Sequence, residues 1–304
     1  MSTRPGDVTP AAPRPKTTVL TLREKHRRGE PITMLTAYDY PTARAVDASG
    51  IDAILVGDSL AMVVLGHPNT LSVTMDEMLH HARAVARGTK SALLIGDMPF
   101  MSYQADTAEA VRNAGRFLQA GMDAVKLEGG RPFAETAAAM VRAGIPVMGH
   151  VGLTPQSVNA LGGFRVQART AAGARTLLYD ALALQDAGCF SIVLESVPYR
   201  VGAFITERLA IPTIGIGAGV GTSGQILVIH DLLGLNDTLS PKFAKRYAEL
   251  ADVQAQAIAA YKREVEAREF PGREHTYAIP EEEWQAFLAS AGPRRSEPAE
   301  GTGR

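Results

Sequence analysis

The chain has 304 residues but a single cysteine, Cys189, so no internal disulfide framework can form. That shortage suits a reducing compartment, and the cytoplasm is the expected location. Neither sign of charge is in excess: 31 Lys and Arg stand against 32 Asp and Glu, a net charge of -1 at pH 7. A balance this even provides no basic stripe for nucleic acid and no polybasic patch for an anionic membrane. Apolar runs of roughly 18–20 residues, the length of a membrane-spanning helix, are missing too. Residues 1–16 (MSTRPGDVTPAAPRPK) hold proline and polar groups without the apolar centre of an export signal. They read as a disordered tail, as does 292–304 (GPRRSEPAEGTGR). The partners left are small molecules and other copies of the chain.

What is present is a large apolar fraction, 46% of residues, enough for an extensive core. Between the tails, 17–291 reads as one domain in which a short apolar run is repeatedly followed by an alanine-rich helical stretch. The runs are ITMLTAY (32–38), DAILVGD (52–58), SALLIGD (91–97), DAVKLEG (123–129), IPVMGHV (145–151), FSIVLES (190–196), IPTIGIG (211–217) and QILVIHD (225–231). They are continuously apolar rather than alternating, as strands covered on both faces must be. Thr74 and Thr107 are expected helix N-caps, with Gly88, Gly121 and Gly188 as terminators. Eight strands alternating with helices predict a closed parallel (β/α)8 TIM barrel, an open doubly wound sheet being the alternative. One connection does not fit the pattern: Ala218 to Gly224 is too short for a crossover helix, so that helix is vestigial or a boundary is misplaced. Residues 241–269 read as one long amphipathic C-terminal helix whose apolar face closes the barrel or packs on a neighbouring subunit.

Polar groups fall at the C-terminal ends of nearly all the strand runs. They are Tyr38 and Asp39, Asp58 and Ser59, Asp97, Lys126 and Glu128, His150, Glu195 and Ser196, and His230 and Asp231. In a barrel these ends converge on the face that carries the active site. Any strand must end in something polar, and aspartate is common in turns, which suffices for Asp39 or Asp231 taken alone. Asp58, Asp97 and Glu128 put three carboxylates on consecutive strand ends. Such crowding needs a cation, and oxygen ligation by few carboxylates favours Mg²⁺ over Zn²⁺. Lys126 lies two residues before Glu128 and so faces the same way. It is either a charge partner for a carboxylated substrate or a Schiff-base lysine. Glu195, in the apolar context IVLESVP, is placed as a general base, with a salt bridge to Arg200 as the alternative.

Two features invite over-reading. GVGTSG (219–224) matches the dinucleotide pattern but follows the seventh strand run and leads into a strand, not a helix, so its glycines serve a tight turn or a close backbone approach. His80 and His81 lie mid-helix without a ligand partner at i+4 and read as a surface or packing pair. Cys189 and Trp284 carry no chemical argument.

Taken in order, LTAYDYPTA, VGDSLAMVVLGH, DMPFMSY, VKLEGG, PVMGHVGLTPQS, LGGFRVQAR, LESVP, IPTIGIGAG and GQILVIHDLLG resemble the ketopantoate hydroxymethyltransferase family from about Thr17 to Tyr277. The resemblance implies a Mg²⁺-dependent (β/α)8 barrel that assembles as a homodecamer, a pentamer of dimers. It implies transfer of a one-carbon unit from 5,10-methylenetetrahydrofolate to 3-methyl-2-oxobutanoate, giving 2-dehydropantoate, in pantothenate biosynthesis. It further implies metal binding by Asp58 and Asp97, with Glu128 joining directly or through water. Asp58, Ser59, Asp97 and Lys126 are then expected to hold the keto acid, Glu195 to accept the proton, His150 to lie close by, and Tyr38 to line the pocket. The chain departs from the family pattern in LES, where LEC is usual, and in LLG after IHD, where an aromatic is common.

Overall fold

The computed structural model describes residues 14–235 and 241–292; of the expected tails, residues 1–13 and 293–304 lie outside the described residues. The chain divides into two compact units, one ending at Ala251 and one beginning at Asp252.

In the first unit the strands are β1 (Ile32–Thr36), β2 (Ala53–Val56), β3 (Leu93–Asp97), β4 (Ala124–Glu128), β5 (Val147–Gly152), β6 (Ser191–Glu195), β7 (Thr213–Ile216) and β8 (Gly224–Leu227). Every neighbouring pair is parallel, and β8 pairs with β1, so the sheet closes into a barrel in sequence order. Each of the eight apolar runs contains a strand. Side chains alternate across a strand, so every second residue points inward. Ile32, Met34, Leu55, Leu93, Ile95, Met148, Val193, Ile214 and Ile216 accordingly pack into one cluster inside the barrel. The helices that follow the strands bury their apolar faces in a second cluster, where Phe117, Met140 and Leu184 meet the outward strand residues Val56, Leu94, Val125 and Leu127.

The helices are α1 (Val19–Arg27), α2 (Tyr40–Ala48), α3 (Leu60–Val63), α4 (Met75–Gly88), α5 (Thr107–Gln119), α6 (Ala134–Arg142), α7 (Val158–Leu161), α8 (Ala171–Asp186), α9 (Tyr199–Thr206) and α10 (Ile229–Leu233). Leu22 of α1 is fully buried in the barrel-interior cluster, and Lys25 pairs with Asp52 just before β2, so α1 closes the N-terminal end. Arg14 and Lys16, the last residues of the expected tail, are fastened to the barrel unit: Arg14 donates to Gly50 O at 2.8 Å, and Lys16 pairs with Asp123 at 2.7 Å. Thr74 caps α4 in a reciprocal arrangement with Glu77. The cap of α5 is Asp106 rather than Thr107, because the Asp106 carboxylate accepts from Glu109 N at 2.8 Å.

The short seventh connection contains no helix. Residues 217–223 instead run back along α9, close enough that a Cβ on Gly219 would lie 2.5 Å from the Tyr199 Cβ and one on Gly221 2.7 Å from the Ala203 Cβ. The GVGTSG glycines therefore serve backbone approach to a helix, and a run of turns and bends replaces the missing crossover helix. The eighth run is overlong as read. β8 stops at Leu227, and Ile229 N donates to Thr36 Oγ1 at 2.9 Å as the chain turns into α10, so His230 and Asp231 lie on a helix and not on a strand end.

The long C-terminal helix is also shorter than its periodicity suggests. It spans Leu250–Glu266 (α11), and residues 241–249 are not helical. Phe243 is drawn instead against the barrel-interior cluster and over Gly217, which accounts for an apolar residue at that spacing. In the second unit, Tyr261 and His275 both pack against Phe270, and a further helix, α12 (Glu281–Ala291), stacks Trp284 on Phe287. Neither α11 nor α12 carries a buried residue. Among the described residues, no helix is long and apolar enough to cross a membrane.

Candidate active site

The inward positions are apolar toward the N-terminal end of the barrel and ionisable toward the C-terminal end. Asp97 on β3, Lys126 and Glu128 on β4, His150 on β5 and Glu195 on β6 occupy that upper layer, and register brings them together. Asp97 is level with Lys126, and Glu128 with His150. Asp58 enters from the turn after β2, where its backbone N–H donates to Asp97 Oδ2 at 3.1 Å. Ser59, at the start of α3, is held by the Tyr38 hydroxyl at 2.8 Å.

Asp58, Asp97, Lys126, Glu128 and His150 are all 4% exposed or less. Lys126 Nζ lies 2.8 Å from Asp97 Oδ1 and 3.7 Å from Glu128 Oε1. His150 lies between two acids, with Nδ1 3.5 Å from Glu128 Oε1 and Nε2 3.1 Å from Glu195 Oε2. Lys126 Nζ and His150 Nδ1 are themselves 3.2 Å apart, so Glu128 Oε1 faces both nitrogens. Burial, then the charges of Asp97 and Glu128, hold Asp58 well above the usual carboxylate range. Burial also raises Asp97, although Lys126 pulls the other way. Glu128 is lowered: burial opposes this, but His150 and Lys126 prevail. The ammonium of Lys126 is disfavoured by burial, yet Asp97, Glu128 and Asp58 hold its proton more tightly than usual. His150 is pushed down by burial and by Lys126, but hydrogen bonds to Glu128 and Glu195 lift it to about 9.

Ion-paired to Asp97 and Glu128, Lys126 has the surroundings of a charge partner more than those of a nucleophilic amine. Glu195 pairs with His150, whereas the Arg200 guanidinium donates to its neighbour Tyr199, so the alternative salt bridge is not made. As they stand, no three His, Cys, Asp or Glu side chains among the described residues form a ready-made metal cage. The donor chemistry nevertheless fits a hard divalent cation. Asp97 Oδ1 and Glu128 Oε1 are buried acceptors met by ion pairs from Lys126 and His150 without an aligned hydrogen bond, and Asp58, Asp97 and Glu128 bring three carboxylates to one cavity.

These groups line a cavity of about 380 Å³. Leu55, Val193, Ile216 and Ile226 form its apolar wall, and Phe164, Arg165, Lys242 and Phe243 stand at the same cavity. Ser196 also lines it, in a left-handed backbone conformation (φ 48°). Tyr38 does not line it: the ring is buried, and its hydroxyl stands behind Ser59 and Thr36, which do. Asp39 is the N-cap of α2, the bland role open to it, while Asp231 lines the cavity from α10. His230 packs its ring 5.5 Å from that of Tyr38. His81 bonds the Tyr38 carbonyl at 2.6 Å, and His80 is exposed.

One residue was not foreseen. Gln156, in the turn after β5, is buried and donates to Asp58 Oδ2 and Met98 O, both at 2.9 Å, while its backbone N–H meets Glu128 Oε2 at 3.0 Å. Tyr103 braces it from the far side. The motif GHVGLTPQS marks the segment, but nothing in its composition singles out the amide.

The family described as ketopantoate hydroxymethyltransferase matches residues 16–273. The chain is 54% identical, over 96% of each chain, to a Nitratidesulfovibrio vulgaris protein named 3-methyl-2-oxobutanoate hydroxymethyltransferase. A protein of the same name from Syntrophobacter fumaroxidans is 60% identical over 82% of this chain and 89% of its own. The mitochondrial form 1 from Arabidopsis thaliana is 53% identical over 93% and 84%. Among solved structures, phosphoenolpyruvate phosphomutase from Streptomyces platensis subsp. rosaceus superposes with a TM-score of 0.58 at 15% identity, covering 90% of this chain and all of that one. A 2,3-dimethylmalate lyase of the PEP mutase/isocitrate lyase superfamily gives 0.52 at 17%, covering 92% and 100%. At such identities the structural likeness bears on the barrel alone.

Proposed function

Because the chain belongs to the ketopantoate hydroxymethyltransferase family, we propose that it transfers the one-carbon unit of 5,10-methylenetetrahydrofolate to 3-methyl-2-oxobutanoate, yielding 2-dehydropantoate for pantothenate synthesis. Family membership makes the chain a hydroxymethyltransferase; the folate donor, the metal and the steps below belong to the proposal. The observation that carries it is the meeting of Asp58, Asp97, Lys126, Glu128, His150 and Glu195 around one cavity at the C-terminal end of the barrel.

Asp58 and Asp97, with Glu128 directly or through water, would hold Mg²⁺, which supplies Lewis-acid polarisation of the keto acid's carbonyl when bound. Glu195, more open than its neighbours at 14% side-chain exposure, takes the proton from C3. His150 Nε2, 3.1 Å from the Glu195 carboxylate, keeps it oriented. Lys126 brings a permanent positive charge to the substrate carboxylate or the developing enolate oxygen, where a fixed charge stabilises the transition state. Ser59, tethered by Tyr38, offers a hydroxyl to the same carboxylate. The carbanion then attacks the methylene carbon of the folate in its iminium form, the C=N π electrons passing to the folate nitrogen; one water supplies the hydroxyl oxygen as that C–N bond breaks, and its proton leaves on the nitrogen of the departing tetrahydrofolate. The aliphatic wall of Leu55, Val193 and Ile216 suits the isopropyl group and keeps water from the enolate.

The cytoplasm, from the single cysteine, and a decameric assembly, from the family resemblance, remain part of this proposal. The test is an assay with 3-methyl-2-oxobutanoate and methylenetetrahydrofolate, with and without EDTA. Turnover that needs the folate and stops with EDTA is expected. Carbon–carbon cleavage of a 2-oxo acid without folate, or full activity after chelation, would overturn the reading.

A further inference from the structure

Gln156 is a buried polar side chain at the site to which the proposed chemistry gives no task. All four hydrogen-bonding positions of its amide are used. Nε2 donates to Asp58 Oδ2 and to Met98 O, each at 2.9 Å. Oε1 accepts from the Tyr103 hydroxyl at 2.9 Å and from Gln104 Nε2 at 3.0 Å. Exchanging the oxygen and nitrogen would set an acceptor against the Asp58 carboxylate and an NH₂ against another NH₂, so the network admits one orientation only. Tyr103 is fixed in turn, since its hydroxyl accepts from Glu128 N at 3.1 Å and lies 3.0 Å from Glu128 O. Meanwhile the Gln156 backbone N–H holds Glu128 Oε2 at 3.0 Å. One residue, delivered by the turn after β5, therefore grips a carboxylate from the β2 turn and another from β4. In each it takes a single oxygen, Asp58 Oδ2 or Glu128 Oε2, and leaves Oδ1 or Oε1 to face other partners.

We propose that Gln156 is a positioning residue that presents Asp58 and Glu128 to the ligand in a fixed orientation, one oxygen of each held by the protein and the other offered to the cavity. The inference rests on reading Asp58, Asp97 and Glu128 as cation ligands. Outer hydrogen bonds of this kind orient carboxylate ligands, and their loss typically lowers metal affinity or activity by about 10–100-fold. Two substitutions keep the volume. Gln156→Met removes every polar atom of the side chain, and Gln156→Glu retains an acceptor for Tyr103 but cannot donate to Asp58 when ionised.

The measurement is Mn²⁺ binding to the full-length protein by titration and electron paramagnetic resonance, joined to a crystal structure of each variant and to KM and kcat at saturating metal. Expected are a roughly 10–100-fold weaker Mn²⁺ affinity in both variants, an altered bound-Mn²⁺ spectrum, and an Asp58 carboxylate turned away from its wild-type rotamer. Tyr103→Phe, which removes one donor to Oε1, should give a smaller loss in the same direction and serves where Gln156→Met does not fold. Wild-type affinity, spectrum and carboxylate orientation in the Gln156 variants would overturn the positioning role. Failure of the wild-type protein to bind Mn²⁺ would overturn the metal reading instead, and the Asp58 orientation in the variant crystals would then decide the positioning claim by itself.

Discussion

Replacing Lys126 by Met puts the electrostatic reading of the site at risk in one measurement. The ammonium is 3% exposed and stands 2.8 Å from Asp97 and 3.7 Å from Glu128. At an effective dielectric of about 20 those separations correspond to roughly 6 and roughly 4.5 kcal/mol of gross attraction. Desolvation cancels much of this, and removing one member of a buried ion pair costs about 3–5 kcal/mol. For a chain of this size 1 kcal/mol moves Tm by about 2 °C, so Lys126→Met should melt about 6–10 °C lower at pH 8 without metal. The loss should depend on pH. Without the ammonium, the folded-state pKa values of Asp58 and Asp97, already raised, rise further, and Glu128 loses one of the charges that lower it. Stability linked to such groups is present at low pH and is lost as pH rises through the raised pKa. Each pH unit over which the folded variant holds one more proton than the unfolded chain recovers about 1.4 kcal/mol. The deficit should therefore shrink on moving from pH 8 to pH 5.5, and Mg²⁺ should narrow it at pH 8 by replacing the missing charge. Thermal scans of both proteins at the two pH values, with and without Mg²⁺, make the test. A deficit under about 2 °C at pH 8, or one that widens on acidification, refutes the reasoning.

Two further outcomes follow from the same geometry. Glu195→Gln should abolish exchange of the C3 proton of 3-methyl-2-oxobutanoate with solvent deuterium while leaving keto-acid binding by calorimetry within a few-fold. Retained exchange removes Glu195 from the base role. Tyr38→Phe deletes a hydroxyl that holds Ser59 from behind the cavity wall, so it should raise the keto-acid KM by less than about tenfold, the effect of one hydrogen bond worth about 1 kcal/mol. A collapse of kcat with unchanged KM would show that Tyr38 does more than hold Ser59.

The barrel was legible because a strand covered on both faces must be apolar at every position, and eight such runs separated by helical stretches call for a parallel sheet with helices packed against it. The failures lie where apolar residues serve something other than a regular element. Residues 225–231 are largely apolar, yet the strand gives way at Leu227 because Ile229 bonds Thr36 and begins α10. Phe243 keeps helical spacing with Tyr247 and Leu250 but covers the barrel mouth as part of a non-helical segment. Periodicity records that a residue is buried on a given interval; it does not record what buries it. Thr107 lost the α5 cap to Asp106 for a related reason: both are good caps, and backbone geometry one residue earlier chose between them.

The candidate site divides along a different line. Ionisable groups betray themselves because a charge at the end of an apolar run has to be compensated, and strand alternation then says which of them face inward together. Lys126 and Glu128, two apart on β4, share one ion-paired cluster with Asp97 for that reason. Tyr38, placed by the same end-of-strand logic, sits behind Ser59 and not in the cavity, since it lies two residues beyond the last residue of β1 and the alternation no longer governs where it points. A neutral amide gives no such signal. Gln156 could serve any turn equally well from its sequence, and its importance arises from five bonds to three other segments that only the folded barrel brings within reach. Charge identifies which side chains meet at the cavity; the amide and hydroxyl groups behind them decide which way those charges face. That second layer is where chains with the same carboxylates can differ in how those charges are presented to a ligand.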